Sequence, residues 1–120
     1  MPSQFEVSAG KAIGYVSGGA VTQATSKSTG VTLNQPCGQI TTNDASLAGG
    51  AEVSFVVTNS VVAATDVVVA CVQSGATTGT YIASISAVAA GSFTTTVSNL
   101  GTTAGEALVL NFVVIKSAAS

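Results

Sequence analysis

The sequence predicts an all-β protein, a β-sandwich or jelly-roll-like domain that follows an extended N-terminal arm. Beyond residue 28, short segments rich in valine and threonine are separated by Gly, Pro, Asn and Ser, which favour turns. Several of these segments alternate apolar and polar residues with the period of two that half-buried strands show. A chain of 120 residues is long enough to bury one core of this kind.

Residues 1–28 form the predicted arm, or alternatively an edge strand, and residues 29–120 form the sandwich domain. Glycine recurs in the first segment, and each glycine makes a helix about 1 kcal/mol less favourable than alanine does. An extended segment cannot bury large apolar side chains alone, so we expect them to contact another subunit or a larger assembly. These candidate contact residues are Phe5, Val7, Ile13, Tyr15 and Val16. A frayed chain terminus is the alternative interpretation.

The domain is predicted to contain a succession of short strands bounded by turn residues. The predicted strands span residues 30–34, 38–42, 51–58, 66–73, 80–88, 92–99 and 106–116. Pro36 restricts its own backbone φ and Gly38 relieves the turn. Residues 34–38 are therefore predicted to form the loop of the first hairpin.

The pattern of apolar residues differs among the predicted strands. Residues 52–58 and 92–97 alternate, which predicts one buried face and one partly polar face. Residues 67–72 are apolar without interruption, which predicts a central strand covered on both sides. Residues 108–115 are apolar on both faces as well. Their outer face is expected to meet either the N-terminal arm or another subunit.

The side chains that catalysis and metal binding require are scarce in this sequence. Histidine is absent, and the five carboxylates show no spacing that predicts a catalytic pair. They are Glu6, Asp44, Glu52, Asp66 and Glu106. Carboxylates at loops and strand starts are usually solvated, although weak cation binding by them stays open. We therefore expect no enzymatic activity and no cofactor.

Cys37 and Cys71 match no zinc or redox motif in their spacing. Free cysteine is among the residues most often buried, so two reduced and mostly buried thiols are the favoured interpretation. A disulfide between them requires Cα atoms within about 7 Å, and the sequence leaves that question open.

Charge and hydropathy exclude two classes of partner. The formal net charge is −2 and the three basic residues, Lys11, Lys27 and Lys116, are far apart, whereas nucleic-acid binding needs clustered cations. Residues 53–72 are interrupted by polar side chains, whereas a membrane span needs about 20 nearly uninterrupted apolar residues. Residues 1–10 lack the basic and apolar regions of a signal peptide. We expect neither a nucleic-acid nor a membrane partner, and no secretion by a signal peptide.

Six segments resemble, in order and wording, a β-rich domain that recurs in virion proteins of tailed phages. They are residues 22–33 (TQATSKSTGVTL), 37–42 (CGQITT), 47–60 (LAGGAEVSFVVTNS), 64–69 (ATDVVV), 89–100 (AAGSFTTTVSNL) and 106–116 (EALVLNFVVIK). The resemblance spans most of the chain. In that family the domain occurs as a small capsid decoration, or cement, protein and as a module of longer fibre-like or appendage proteins.

The resemblance implies a viral structural protein that binds the outer surface of a bacteriophage capsid as a homotrimer and stabilises the shell. The implied partner is the major capsid protein, and the implied location is the virion surface after synthesis in the host cytoplasm. Because the chain starts at Met1 and ends shortly after the last predicted strand, a free-standing decoration protein is the expected form. The alternative is a module of a head or tail fibre or appendage involved in host attachment. A carbohydrate-binding sandwich is a third interpretation, but the sequence has no Trp and only two Tyr to form aromatic platforms.

Overall fold

The computed structural model describes residues 18–117, which form an all-β body without helices. The strands are β1 (Gly19–Thr22), β2 (Val31–Thr32), β3 (Cys37–Thr41), β4 (Glu52–Thr58), β5 (Val67–Ser74), β6 (Tyr81–Ala89), β7 (Ser92–Asn99) and β8 (Val109–Ile115). No helix long and apolar enough to cross a bilayer occurs in this part of the chain. The predicted fold class is confirmed.

The strands form two four-stranded sheets that pack face to face. Sheet A has the order β1-β3-β8-β5, and sheet B has the order β2-β4-β7-β6. The chain changes sheet at every connection except the one between β6 and β7. Those two strands form a hairpin whose turn contains Gly91, with a φ of 85°, a backbone conformation that glycine adopts without strain. Because of the crossings, β1 pairs with β3 and β2 pairs with β4 in parallel, whereas the other pairings are antiparallel.

The core lies between the two sheets and is built from the inward positions of each strand. Phe112 of β8 and Phe93 of β7 meet across it, with ring centroids 5.3 Å apart and ring planes tilted by 53°, a favourable geometry for aromatic pairs. The other buried apolar side chains are Val31, Ile40, Leu47, Phe55, Val57, Val62, Val68, Tyr81, Val97, Leu108, Leu110 and Val114. The core therefore draws on strands of both sheets and on the loops at their ends.

Three buried amide side chains hold the loops at the ends of the sheets. Asn59 follows β4, and its Nδ2 donates to the carbonyl oxygens of Leu33 and Gln35 at 2.9 and 2.8 Å. Its Oδ1 accepts from the backbone N–H groups of Val61 and Val62. Asn99 and Gln23 form hydrogen bonds with backbone groups of neighbouring loops in the same manner. Each amide thus replaces water as the partner of backbone groups that the fold buries.

The predicted positions of the strands agree with the structure. Each of the seven predicted segments overlaps a strand, with ends that agree to within a residue or two in most cases, although the last strand begins at Val109 rather than at residue 106. The alternation in β4 is confirmed as well, because Phe55 and Val57 are buried while Ser54 and Val56 are exposed. The structure adds β1, which is the edge strand of sheet A beside β3.

Two predictions about strand arrangement were wrong. Residues 34–38 do not close a hairpin, because β2 belongs to sheet B and β3 to sheet A. The loop instead carries the chain across the sandwich. Residues 67–72 do not form a central strand either, because β5 is the last strand of sheet A. Its inward residue Val68 is buried, whereas Val67 and Val69 on the opposite side are 53% and 48% exposed.

Candidate interaction surface

The outward side of sheet A carries a contiguous group of apolar side chains, which we call the apolar outer face, and the polar residues Gln39, Asn111 and Gln73 border it on the same side. It consists of Val67, Val69 and Cys71 of β5, Val113 and Ile115 of β8, and Cys37 of β3. The exposed fraction of Ile115 is 46%, close to the values for Val67 and Val69. Contiguous exposed apolar patches on a folded domain usually mark a site of association.

Strand register places these side chains in adjacent rows. Val67 lies opposite Ile115, and Val69 lies opposite Val113. Val113 in turn lies opposite Cys37. Because paired residues of neighbouring strands point to the same side of a sheet, the rows merge into one surface across β5, β8 and β3. Among the described strand residues on this side of sheet A, none is charged.

The outward side of sheet B has a different character, and we call it the hydroxyl face. It carries Ser54, Thr58, Ser84, Ser86, Ser92, Thr94, Thr96 and Ser98. The Thr96 hydroxyl lies 2.7 Å from that of Ser54 and 2.9 Å from that of Ser86, so the hydroxyl groups partner one another across three strands. Val56 and Ile82 are its exposed large apolar side chains. A hydroxyl surface is well hydrated, so the drive to cover it is much weaker than for the apolar outer face.

A depression of about 620 Å³ adjoins the apolar outer face at the β1 edge of sheet A. Its lining includes Gly18, Gly19 and Gly38, whose missing side chains leave the backbone accessible, together with Cys37 and Gln39. The Gln39 amide donates a hydrogen bond to the Gln73 side chain at 2.7 Å. This hydrogen bond crosses β8 and lies at the polar end of the outward side of sheet A. The depression therefore extends the apolar outer face toward the point where the described chain begins.

The two cysteines lie on the apolar outer face and are not joined by a disulfide. They belong to β3 and β5, which are separated by β8. Two strand spacings amount to about 10 Å, beyond the Cα separation that a disulfide allows. The structure therefore settles the question that the sequence left open. The expectation that both thiols are mostly buried was wrong, because Cys71 lies on the outward side of the edge strand β5 and is exposed, and Cys37 is only partly buried.

None of the charged side chains of residues 18–117 belongs to the apolar outer face, and several of them lie at the two ends of sheet A. At one end, Lys27 is 4% exposed, and its ammonium donates to the carbonyl oxygens of Asn43 and Glu106. Burial lowers the pKa of Lys27, and the nearby carboxylates of Asp44 and Glu106 oppose that effect. Hydrogen bonds from the hydroxyl and backbone N–H of Thr77 lower the pKa of Glu106. This cluster ties three loops together and serves the fold.

At the opposite end, Asp66 precedes β5 and Lys116 follows β8. The Lys116 ammonium lies 2.5 Å from Asp66 Oδ2, and the backbone N–H groups of Ala63 and Ser117 also donate to this carboxylate. The hydrogen bond from Lys116, followed by that from Ala63, lowers the pKa of Asp66 to about 2. The ion pair therefore lies at the end of sheet A, next to Val67 and Ile115 of the apolar outer face.

We expect the stability of the protein to fall in acid because of these carboxylates. The folded-state pKa of Asp66, about 2, lies below its ordinary value of 3.8, so the unfolded chain binds the proton more readily. The contribution is complete above about pH 5 and is lost as the pH falls from about 4 to about 2. Glu106 acts in the same direction. Urea unfolding measured from pH 7 to pH 2 should show this decline.

The variant Asp66→Asn tests whether the Asp66 carboxylate contributes to this loss of stability in acid. It should be less stable than the wild-type protein at pH 7, and the difference between the two should shrink in acid because the wild-type carboxylate becomes protonated. A difference that stays constant over the whole pH range would contradict it.

The predicted contact residues Phe5, Val7, Ile13, Tyr15 and Val16 all lie outside the described residues. What sequence reasoning missed is the part of the apolar outer face that β5 contributes. The signals for the apolar outer face in the sequence were the continuous apolar pattern of residues 67–72 and the two apolar faces of residues 108–115. Only the pattern of residues 108–115 was linked to association.

The described part of the chain contains no cluster of three or more His, Cys, Asp or Glu side chains that could hold a metal ion. Tyr81, one of the two tyrosines of the chain, is 8% exposed and belongs to the core. No protein-family model matches this chain, and no curated protein or solved structure shows significant similarity to it.

Proposed function

We propose that this chain is a viral structural protein, a decoration or cement protein that binds the outer surface of a tailed-phage capsid and stabilises the shell. The observation that carries the proposal is the apolar outer face. A two-sheet body that buries fourteen apolar side chains still leaves Val67, Val69 and Ile115 about half exposed. Such a surface favours a role in assembly. The resemblance of the strand segments to a phage virion domain favours a phage capsid as that assembly.

The proposed mechanism is mechanical. Pressure from the packaged genome pulls capsid subunits apart at their junctions, and a homotrimer that contacts several subunits adds contact area that resists this separation. A ligand that binds only the assembled shell stabilises that state by mass action. Contacts from several subunits of one trimer also reinforce one another through their high effective concentration. The major capsid protein is the proposed partner, and the proposed role is not catalytic.

The test is to mix the purified protein with expanded phage shells that lack a decoration protein and to image the particles by electron cryomicroscopy. We expect ordered density at symmetry-related positions over the whole outer surface. Shells that already carry their decoration protein are the control and should take up none.

Salt dependence provides a second readout of the same binding. Charged residues are 7% of the chain, and the Debye length falls from about 10 Å at 0.1 M to about 3 Å at 1 M ionic strength. Binding through uncharged surfaces should therefore change little between these salt concentrations. No density on the shells, or density confined to a single vertex or the tail, would refute the decoration function.

A further inference from the structure

The chain passes into the described structure at Gly18, beside the apolar outer face. Strand β1 pairs in parallel with β3, and Gly19 lies opposite Gly38, so Gly18 is level with Cys37. Cys37 is level with Val113 and Val69 across the sheet. A Cβ atom at Gly18 would lie 2.1 Å from the Cys37 carbonyl oxygen, so the two backbones touch. Residues 1–17 are therefore attached at the end of sheet A where the apolar outer face lies.

The sequence of this segment has the pattern of a strand with one apolar side. Phe5, Val7, Ala9, Ile13 and Tyr15 all occupy odd-numbered positions, with Lys11 as the exception among residues 5–15. The positions between them hold Glu, Ser, Gly and Ala. In an extended chain, alternate residues point to the same side, so an extended form of this segment would place Val16 on the opposite side and present the other large side chains as one apolar surface. That surface matches an uncharged sheet face.

We propose that residues 1–17 of one copy lie extended on the apolar outer face of a second copy. Strand β1 runs parallel to β3, so a chain that continued the direction of β1 before Gly18 would leave the sheet at the end where Ile115 and Val67 lie, rather than cross its own sheet. Seventeen extended residues reach roughly 55 Å, whereas four strands span about 14 Å. The segment is therefore long enough to reach a neighbouring body. An exchange of this kind is head-to-tail, and it closes into a ring when the rotation between copies permits.

This inference builds on the homo-oligomer of the proposed function, but its test needs no viral particle. The full chain and a variant without residues 1–17, which keeps every described strand, are compared by size-exclusion chromatography with light scattering. The rate of alkylation at Cys71 is followed by peptide mass spectrometry. We expect the full chain to be an oligomer and the shortened chain a monomer. Alkylation of Cys71 should be at least about tenfold faster in the monomer, because a covered thiol reacts only when the segment that covers it opens locally.

Two matched substitutions test which of the two sheets makes the contact between copies. Val69→Glu places a charge on the apolar outer face at a position that is 48% exposed, and Val56→Glu does the same on the hydroxyl face at a position that is 47% exposed. Both positions are solvent-accessible, so both variants should fold, as circular dichroism will show. We expect Val69→Glu to yield a monomer and Val56→Glu to keep the oligomer.

Each contrary result identifies a different fault. A monomeric full chain with a reactive Cys71 overturns the inference. Protection of Cys71 in a monomer, lost on truncation, would place the segment on its own chain. If the chain without residues 1–17 stayed an oligomer, the inference would be wrong, and the apolar outer faces of two copies would pack directly against each other. Equal dissociation by both Glu substitutions would refute the assignment to sheet A. Shell binding is measured separately, so it can fail while the exchange of segments stands.

Discussion

Replacing Phe112 with alanine should lower the free energy of unfolding by about 3 to 5 kcal/mol, as for other buried phenylalanines. Phe112 is 3% exposed and lies on β8, which pairs with both β3 and β5 in sheet A. Its ring contacts Phe93 of the facing sheet at a centroid distance of 5.3 Å. The substitution removes both the buried area and the aromatic pair, and it leaves a cavity between two sheets whose backbones are held by their ladders. Such a loss approaches the total stability of many small domains.

Chemical denaturation followed by circular dichroism measures this effect. Val56→Ala is the control, because Val56 is also a strand residue but is 47% exposed on the hydroxyl face. Its cost should not exceed about 1 kcal/mol, the range of strand propensities. Similar losses in the two variants would show that Phe112 does not hold the sheets together.

Replacing Asn59 with alanine should cost about 3 kcal/mol. The Asn59 side chain has no exposed surface and makes four hydrogen bonds to backbone groups of the loops before β3 and after β4. Each buried group left without a partner costs roughly 1 to 3 kcal/mol, and water that enters the space of the missing amide offsets part of the total. Asn59→Asp should be at least as destabilising, because its carboxylate faces the carbonyl oxygens of Leu33 and Gln35.

The matched control is Asn34→Ala. Asn34 belongs to the same group of loops but is exposed, and its side chain accepts one hydrogen bond, from the backbone N–H of Ser60 at 3.0 Å. We expect a loss of about 1 kcal/mol or less. If thermal unfolding showed the two alanine variants to be equally stable, the four buried hydrogen bonds would not secure these loops.

The contrast between the two outer faces links stability to the proposed function. The inward residues of both sheets supply the core, so the outward residues are free to differ. Sheet B carries self-paired hydroxyls, and the outward residues of sheet A are uncharged and include the apolar outer face. One side of the sandwich therefore favours association, while the other favours contact with water. An orientation of this kind suits a subunit that occupies a defined position in a larger assembly.

The sequence by itself determined the fold class and the positions of the strands. The alternation in residues 52–58 and the turn residues around them are local features, and a period of two follows from the geometry of an extended backbone. In the last strand the same period of two places Leu110, Phe112 and Val114 on one face, and these side chains are buried.

Only the tertiary structure decided which strands are neighbours and which apolar face is left uncovered. Strand pairing depends on contacts between distant parts of the chain, and a loop such as residues 34–38 has the same turn chemistry whether it closes a hairpin or crosses between sheets. An uninterrupted apolar strand also looks the same in sequence whether its second side faces its own chain or another molecule. Residues 67–72 were therefore assigned to the centre of a sheet, whereas β5 lies at an edge with its outward side chains exposed.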